Sequence, residues 1–333
     1  MKKRKKIAVV TGGAGFIGSH MVDLLLKKNY QVNVIDNLSG GHKKNLVHHK
    51  NNASLKFQKE DICNLKKDHK FFKNADYIFH FAGIGDIVPS IENPVNYMYT
   101  NIQGTVKVLE SARFNKIKKF VYSASASCYG ISSARKSEKG KIDIKYPYAL
   151  SKYMGEKMAF HWYKVYKLPV ISIRIFNAYG TRVRTTGAYG AVFGVFLAQK
   201  LANKPLTIVG SGQQTRDFIH VYDLVNAIFL VSKKKNIRGE IFNIGSGKET
   251  SVNKIAKIIG GKKINVPKRP GEPDRSLADI KKIKKKLNWK PMISIQSGIQ
   301  ELIKNIDNWS DAPVWTPISI AKATKTWFKL LKK

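Results

Sequence analysis

Tyr148 and Lys152 stand four residues apart in the run Pro147-Tyr148-Ala149-Leu150-Ser151-Lys152. On a helix this spacing puts phenol and ammonium on one face, one turn apart. A phenol titrates at about 10 and is a poor base at neutral pH. A neighbouring ammonium favours the phenolate, so Lys152 is expected to lower the Tyr148 pKa and make a proton shuttle for an alcohol or sugar hydroxyl. The same spacing also arises on ordinary surface helices, and it is the upstream residues that give it meaning.

Those residues must position a ligand beside the pair. The apolar strand at residues 7–10 runs into Thr11-Gly12-Gly13-Ala14-Gly15-Phe16-Ile17-Gly18, and residues 19–28 read as a helix. Gly12 suits the tight turn, Gly15 the approach of a pyrophosphate, and Gly18 the close packing of helix on strand. The pyrophosphate would sit at the positive end of that helix. Asp36 closes a second strand at residues 31–36. A carboxylate there can bind both ribose hydroxyls of an adenosine and repels a 2′-phosphate, so NAD is favoured over NADP. The basic loop at residues 40–44 argues mildly the other way. Asp61 and Ile62, after a strand at residues 55–58, are expected to cap the adenine region. Residues 77–83 read as a strand with a small-residue exit at Ala82-Gly83, and His80 as a packed strand histidine. The strand at residues 120–125 ends in serines, where open α/β sheets place ligands, and Ser125 could share a substrate oxygen with Tyr148.

Composition narrows the classes. A chain of 333 residues can build one large α/β domain or two smaller ones. The formal net charge is +38, carried by lysine clusters at residues 2–6, 43–44, 116–119, 233–235 and 281–286. No aromatics interleave with these clusters and no nucleic-acid motif is present, so they read as solvated faces that attract anionic substrates. The two cysteines, Cys63 and Cys128, form neither a disulfide framework nor a metal spacing. No leader or membrane-length apolar run is read, and the expected location is cytoplasmic.

Taken together, Thr11 to Gly18, Asp36-Asn37, Asp61-Ile62, His80-Phe81-Ala82-Gly83, Asn101, the serines before Tyr129-Gly130, and Tyr148-x-x-x-Lys152 resemble an extended short-chain dehydrogenase/reductase of the NAD-dependent epimerase/dehydratase family. The resemblance runs to about Trp309. It implies a Rossmann-type doubly wound parallel sheet with a smaller C-terminal substrate domain, and NAD held by Gly12, Gly15, Phe16, Ile17, Gly18, Asp36, Asn37, Asp61, Ile62, Ala82, Asn101, Tyr148 and Lys152. It implies Ser125, Tyr148 and Lys152 as the catalytic residues.

The second half carries the resemblance further. Residues 173–182 are similar to the family's substrate-side strand, in which Asn177 would contact a sugar-nucleotide diphosphate. Residues 214–221 and 268–273 are similar to the segments that supply diphosphate-binding arginines, here Arg216 and Arg269. Arginine suits both places because its planar fork pairs with phosphate oxygens. The resemblance implies Ser127 as a further substrate contact. Sugar-nucleotide 4,6-dehydratases of this family place Asp-Glu after the catalytic hydroxyl residue, and this chain has Ala126-Ser127. The pattern is instead similar to 4-epimerases, which oxidise C4 transiently, and the substrate is expected to be a UDP-hexose or UDP-N-acetylhexosamine. The resemblance implies that Ser276, seven past Arg269, would stand at the gate beside the sugar C2 substituent, and its small size leans toward the N-acetylated sugar. Gly85, Gly210-Ser211-Gly212 and the loop with Arg184 depart from the pattern, and Arg184 could read a carboxylate. A reductase or an epimerase of a uronic acid or unusual hexose is the runner-up. An NAD-binding regulator or scaffold is the non-enzyme alternative.

The expected division is an NAD-binding domain at residues 1–175, a substrate domain at 176–308 with segments crossing back, and a basic amphipathic tail at 309–333. The family's dimers imply a homodimer through the helices at residues 94–113 and around Tyr148. In the tail, Ile320, Ala323, Trp327 and Leu331 share one helical face, which reads as packing on the protein itself or a partner subunit rather than on a membrane.

Overall fold

The computed structural model describes residues 4–132, 134–183 and 192–331. Its centre is a seven-stranded sheet. The strands are β1 (Ile7–Thr11), β2 (Gln31–Asp36), β3 (Leu55–Lys59), β4 (Tyr77–His80), β5 (Lys119–Ser125), β6 (Val170–Ile175) and a late strand, Glu240–Ile244. Across the sheet the order is Glu240–Ile244, β6, β5, β4, β1, β2, β3, and every neighbouring pair is parallel. This is a Rossmann-type doubly wound α/β fold. The order reverses between β1 and β4, and a crevice opens there beyond the carboxyl ends of the strands.

Parallel strands are covered on both faces, and their sequences show it. Ala8, Val9 and Val10 of β1 are all fully buried. On one face lie α1 (Phe16–Lys27), through Met21, Val22 and Leu25, and the helix Val221–Lys233, through Leu224, Ile228 and Val231. Next along the chain come α2 (Ile87–Glu92), α3 (Pro94–Met98), α4 (Gly104–Phe114) and α5 (Pro147–Tyr166). Val108, Leu109, Ala112 and Ala159, from α4 and α5, cover the opposite face. A separate apolar cluster gathers the helices Val192–Leu201, Val252–Ile259 and Ile295–Lys304 with Trp309 and Ile320. None of the helices described is long and apolar enough to cross a membrane.

Several elements differ from the sequence expectation. Helix α1 begins at Phe16 rather than residue 19, because Gly15 already serves as its N-cap. The helix expected over residues 94–113 is three pieces, with a wider π turn at Tyr99–Gln103 between α3 and α4. The lysine cluster at residues 281–286 lies on a helix that starts at Lys281, just after the Ala278 amide is tied to the buried Asp217 carboxylate. Residues 317–331 are one helix whose Ile320 and Trp327 are buried in the protein itself. Val95, Tyr99, Phe114, Leu150, Val165 and Tyr166 leave apolar surface exposed on α3 to α5, the helices that the resemblance pairs across a homodimer.

Three buried histidines, His20, His80 and His220, set the acid limit of this fold. His80 bridges Thr11 Oγ1 at 2.6 Å and Thr105 Oγ1 at 3.0 Å, and His20 reaches the Thr181 carbonyl at 3.0 Å. Burial pushes His80 down to about 3 and His20 and His220 down to about 4, from 6.5. The folded protein keeps all three neutral, whereas the unfolded chain takes up three protons below about 6.5. Stability is therefore expected to fall as pH drops from about 6.5 toward 4, by up to about 4 kcal/mol per pH unit. Urea midpoints at successive pH values read this directly, and a flat profile over that window would contradict it.

Candidate active site

Helix α5 carries Tyr148 in its first turn and Lys152 one turn on, after Pro147 at its start. Its depth is fixed by a close approach to β5. A methyl group built on Gly155 would collide with the Tyr122 hydroxyl, and that hydroxyl donates to the Lys152 carbonyl at 3.0 Å. Farther along, Glu156 receives Ser172 Oγ at 2.8 Å and Arg174 Nη2 at 2.7 Å, all buried under the sheet.

The Lys152 ammonium lies 4.8 Å from the Tyr122 ring centroid, and burial lowers its pKa to about 8 against the attraction of Glu156. The Tyr148 phenol and Ser125, at the end of β5, line the same cleft, close enough for Ser125 to bear on the phenol's pKa. Burial raises the phenol above its ordinary range, and Ser125 pulls the other way. This corrects the sequence expectation. The spacing does place both groups on one helix, but desolvation, with the nearby Asp86 charge, outweighs the lowering by Ser125.

A cleft of about 980 Å³ runs from the glycine turn, past Tyr148, to the second half of the chain. Every cofactor position named from the sequence except Asn101 lines it, and so do Ser125, Ser127, Asn177, Arg216, Arg269 and Ser276. Asn101 is buried behind the wall in the π turn. Its side chain bonds the Ile84 amide (2.8 Å), the Ile84 carbonyl (3.0 Å) and Ser151 Oγ (2.9 Å), so it braces the wall. Arg184 lies outside the described residues.

The glycine end fits a dinucleotide. Gly12 has φ +70°, and a Cβ there would stand 2.6 Å from the Ala82 nitrogen. No side chain caps α1 at Gly15, so the first amides of the helix face the cleft. Asp36 accepts from the Ala14 amide at 2.9 Å and the Leu38 amide at 2.8 Å, one on each carboxylate oxygen. Each oxygen keeps a lone pair for a ribose hydroxyl. Burial raises the Asp36 pKa, and these amides oppose that. Asp61 accepts from Asn37 Nδ2 at 2.8 Å, which fixes the rim beside it.

The opposite end is cationic. Arg216 Nη1 donates to the Pro273 carbonyl at 2.7 Å, and Arg269 Nη1 pairs with Glu272 at 2.9 Å. Ser276 lies in strand register with Arg216, and the Asn177 side chain donates to the Asp217 carbonyl at 3.2 Å. Among the cleft residues, Glu272 and Tyr146 were not singled out in the sequence, and Trp327 was read only as part of an amphipathic face. Glu272 faces both arginines. Tyr146 lies parallel to Tyr148 with centroids 6.4 Å apart and reaches Ser127. Trp327 comes from the last helix. Away from the cleft, Asp23 draws together His48, His49 (2.8 Å each) and Arg182 (2.8 Å), tying α1 to the segment Lys43–His49.

A glycine turn opening a helix, an acid ending β2, and a tyrosine–serine pair in the same crevice are the parts of a known family, and its model, described as the NAD dependent epimerase/dehydratase family, matches residues 8–245. The chain belongs to that family. Its cofactor is NAD. A putative UDP-glucose 4-epimerase of Methanocaldococcus jannaschii is 38% identical over 310 residues, covering 90% of this chain and 97% of that protein. Two solved structures share the whole fold. The UDP-glucuronic acid 4-epimerase of Bacillus cereus, in complex with UDP-glucuronic acid and NAD, has a TM-score of 0.85 and 31% identity, covering 90% of this chain and 99% of its own. The UDP-N-acetylglucosamine 4-epimerase of Methanobrevibacter ruminantium M1, in complex with UDP-N-acetylmuramic acid, has a TM-score of 0.84 and 30% identity, covering 91% of this chain and 100% of its own.

Helix α5 depends on the buried pair Glu156–Arg174, whose side chains are 2% and 4% exposed. Glu156→Gln strips the charge that Arg174 needs and is expected to destabilise the protein by about 3–5 kcal/mol in urea unfolding. A loss below about 1 kcal/mol would show that the helix is held by packing alone.

Proposed function

We propose that the protein is a nucleotide-sugar 4-epimerase. The reading is carried by the meeting of the Tyr148 phenol and the Ser125 hydroxyl in the cleft, with Ala126-Ser127 rather than acids following Ser125. Elimination of water from a sugar needs an acid and a base next to the reacting carbons. Reversible oxidation of one hydroxyl needs only a proton acceptor and a hydride carrier. The relatives' activities support the same reading.

NAD, when bound, takes a hydride from the sugar carbon and returns it to the same atom. The remaining steps belong to the chain. Tyr148 accepts the C4 hydroxyl proton as C4 is oxidised, and gives it back when C4 is reduced. Ser125 holds that oxygen throughout. Lys152 keeps its proton at neutral pH, with a pKa of about 8, and its charge favours the phenolate. Arg216 and Arg269 hold the diphosphate while the 4-keto sugar turns about its phosphate linkage and offers its other face. Gly12, Gly15, Gly18 and Asp36 hold the dinucleotide, with Phe16, Ile17, Asn37, Asp61, Ile62 and Ala82 along its walls.

The test is incubation with UDP-hexoses, UDP-N-acetylhexosamines and UDP-uronic acids, with no cofactor added, and NMR detection of C4 epimers. Tyr148→Phe is expected to keep bound NAD and to lower kcat by about 100-fold to 10,000-fold. Near-normal turnover in that variant, or no epimer from any sugar, would overturn the reading.

The proposal extends to the sugar. Ser276 is small, lines the cleft and lies beside Arg216, which leaves room for an N-acetyl group. Ser276→Tyr is expected to cut kcat/KM for the N-acetylated sugar by about tenfold or more while sparing the plain hexose. Equal losses on both sugars would remove Ser276 from the selectivity.

A further inference from the structure

The helix Pro317–Leu331 connects the two walls of the cleft. Ile320 sits in the apolar cluster of the second half, and the helix packs against α2 of the NAD-binding side. From this helix Trp327, 2% exposed, reaches the cleft wall. Its Nε1 donates to the Pro270 carbonyl at 2.7 Å, and its ring centroid lies 5.4 Å from the Arg269 guanidinium. Glu272 accepts from Arg269 Nη1 at 2.9 Å and approaches Arg216 Nη2 at 3.6 Å.

We propose that Trp327 is a positioning residue for the anion end of the cleft, acting through Arg269. The inference rests on the reading of that end as a diphosphate site. Arginine has many rotamers, and ordering it at the moment of binding costs affinity. An aromatic face holds a guanidinium by its quadrupole and leaves the in-plane N–H fork free for phosphate oxygens. Glu272 cannot do this alone, because a carboxylate occupies the same donors that a diphosphate needs. The hydrogen bond from the indole to Pro270 fixes the ring to the loop that carries Arg269. A helix beyond the core resemblance thus sets the geometry of a residue inside it.

The experiment measures UDP, GDP and dTDP affinity by calorimetry on the full chain, then follows the tightest of them in Trp327→Leu, Trp327→Phe and each of these combined with Arg269→Ala. Trp327→Leu is expected to weaken binding by about tenfold and Trp327→Phe by less, because a ring face remains. The loss should appear in KM more than in kcat, with NAD content unchanged. In the Arg269→Ala background neither substitution should weaken binding further. Unchanged affinity in Trp327→Leu, a Phe variant as weak as the Leu variant, or an equal loss in the Arg269→Ala background would each overturn the positioning role. If Trp327→Leu does not fold, the Phe variant with and without Arg269→Ala gives the same comparison. Wild-type protein that binds none of the three nucleotides would instead overturn the nucleotide-sugar reading itself, and this proposal with it.

Discussion

The site depends on how closely one helix lies against one strand. α5 can sit on β5 only because residue 155 is glycine, where a methyl group would meet the Tyr122 hydroxyl and crowd the Asn101 carbonyl. That closeness lets Tyr122 cap the Lys152 carbonyl and bear on the Lys152 ammonium with its ring. Below it, the Glu156 carboxylate locks the helix to β6 through Ser172 and Arg174. Tyr148 and Lys152 therefore stand on a rigid support, as groups that must meet a substrate atom accurately require. The same burial has an electrostatic cost. It raises the Tyr148 pKa and lowers that of Lys152, so each group is pushed toward its neutral form.

The cleft separates two kinds of recognition. At the sheet end, main-chain amides, glycines and one carboxylate define a dinucleotide shape, and little of it depends on formal positive charge. At the far end, Arg216 and Arg269 share Glu272. A lone pair of buried guanidiniums would repel each other, and the carboxylate between them keeps the pair in place. Burial lowers the Arg216 pKa and Glu272 offsets this. The net charge of +38 adds a field of the same sign over the whole molecule, which draws anionic ligands toward the cleft.

Local spacing carried the legible part of this structure. The strand, glycine turn and helix at residues 7–28, the acid at the end of β2, and the Tyr–Lys turn are each determined by neighbours within a few residues, and each was visible in the sequence. The misjudged parts depend on contacts far apart in the chain. The bracing by Asn101 was not read, because its partners Ile84 and Ser151 lie 17 and 50 residues away. Trp327 looked like one residue of an amphipathic face, and only its bond to Pro270, 57 residues away, ties it to the cleft. The phenol pKa was misjudged because the spacing reports the nearby charge and says nothing of solvent exclusion. The 94–113 segment has helical periodicity throughout, and the π turn that interrupts it leaves no signal in that pattern.

The strand Glu240–Ile244 pairs with β6, although more than sixty residues of the second half separate them. The chain passes from sheet to second half just after Ile175 and again just after Ile244, and the Phe176 amide bonds the Ile244 carbonyl at 3.0 Å. Asp217 then holds the second crossing through the Ser246 and Gly247 amides, at 2.6 and 2.9 Å. The two halves accordingly share a seam rather than a linker. The substrate-facing half cannot melt alone without stripping a strand from the sheet and exposing the edge of β6, so heat or denaturant meets one cooperative unit. Folding carries the matching burden. The sheet is incomplete until a late segment returns to it, a long-range closure that slows folding and leaves an open strand edge in the meantime.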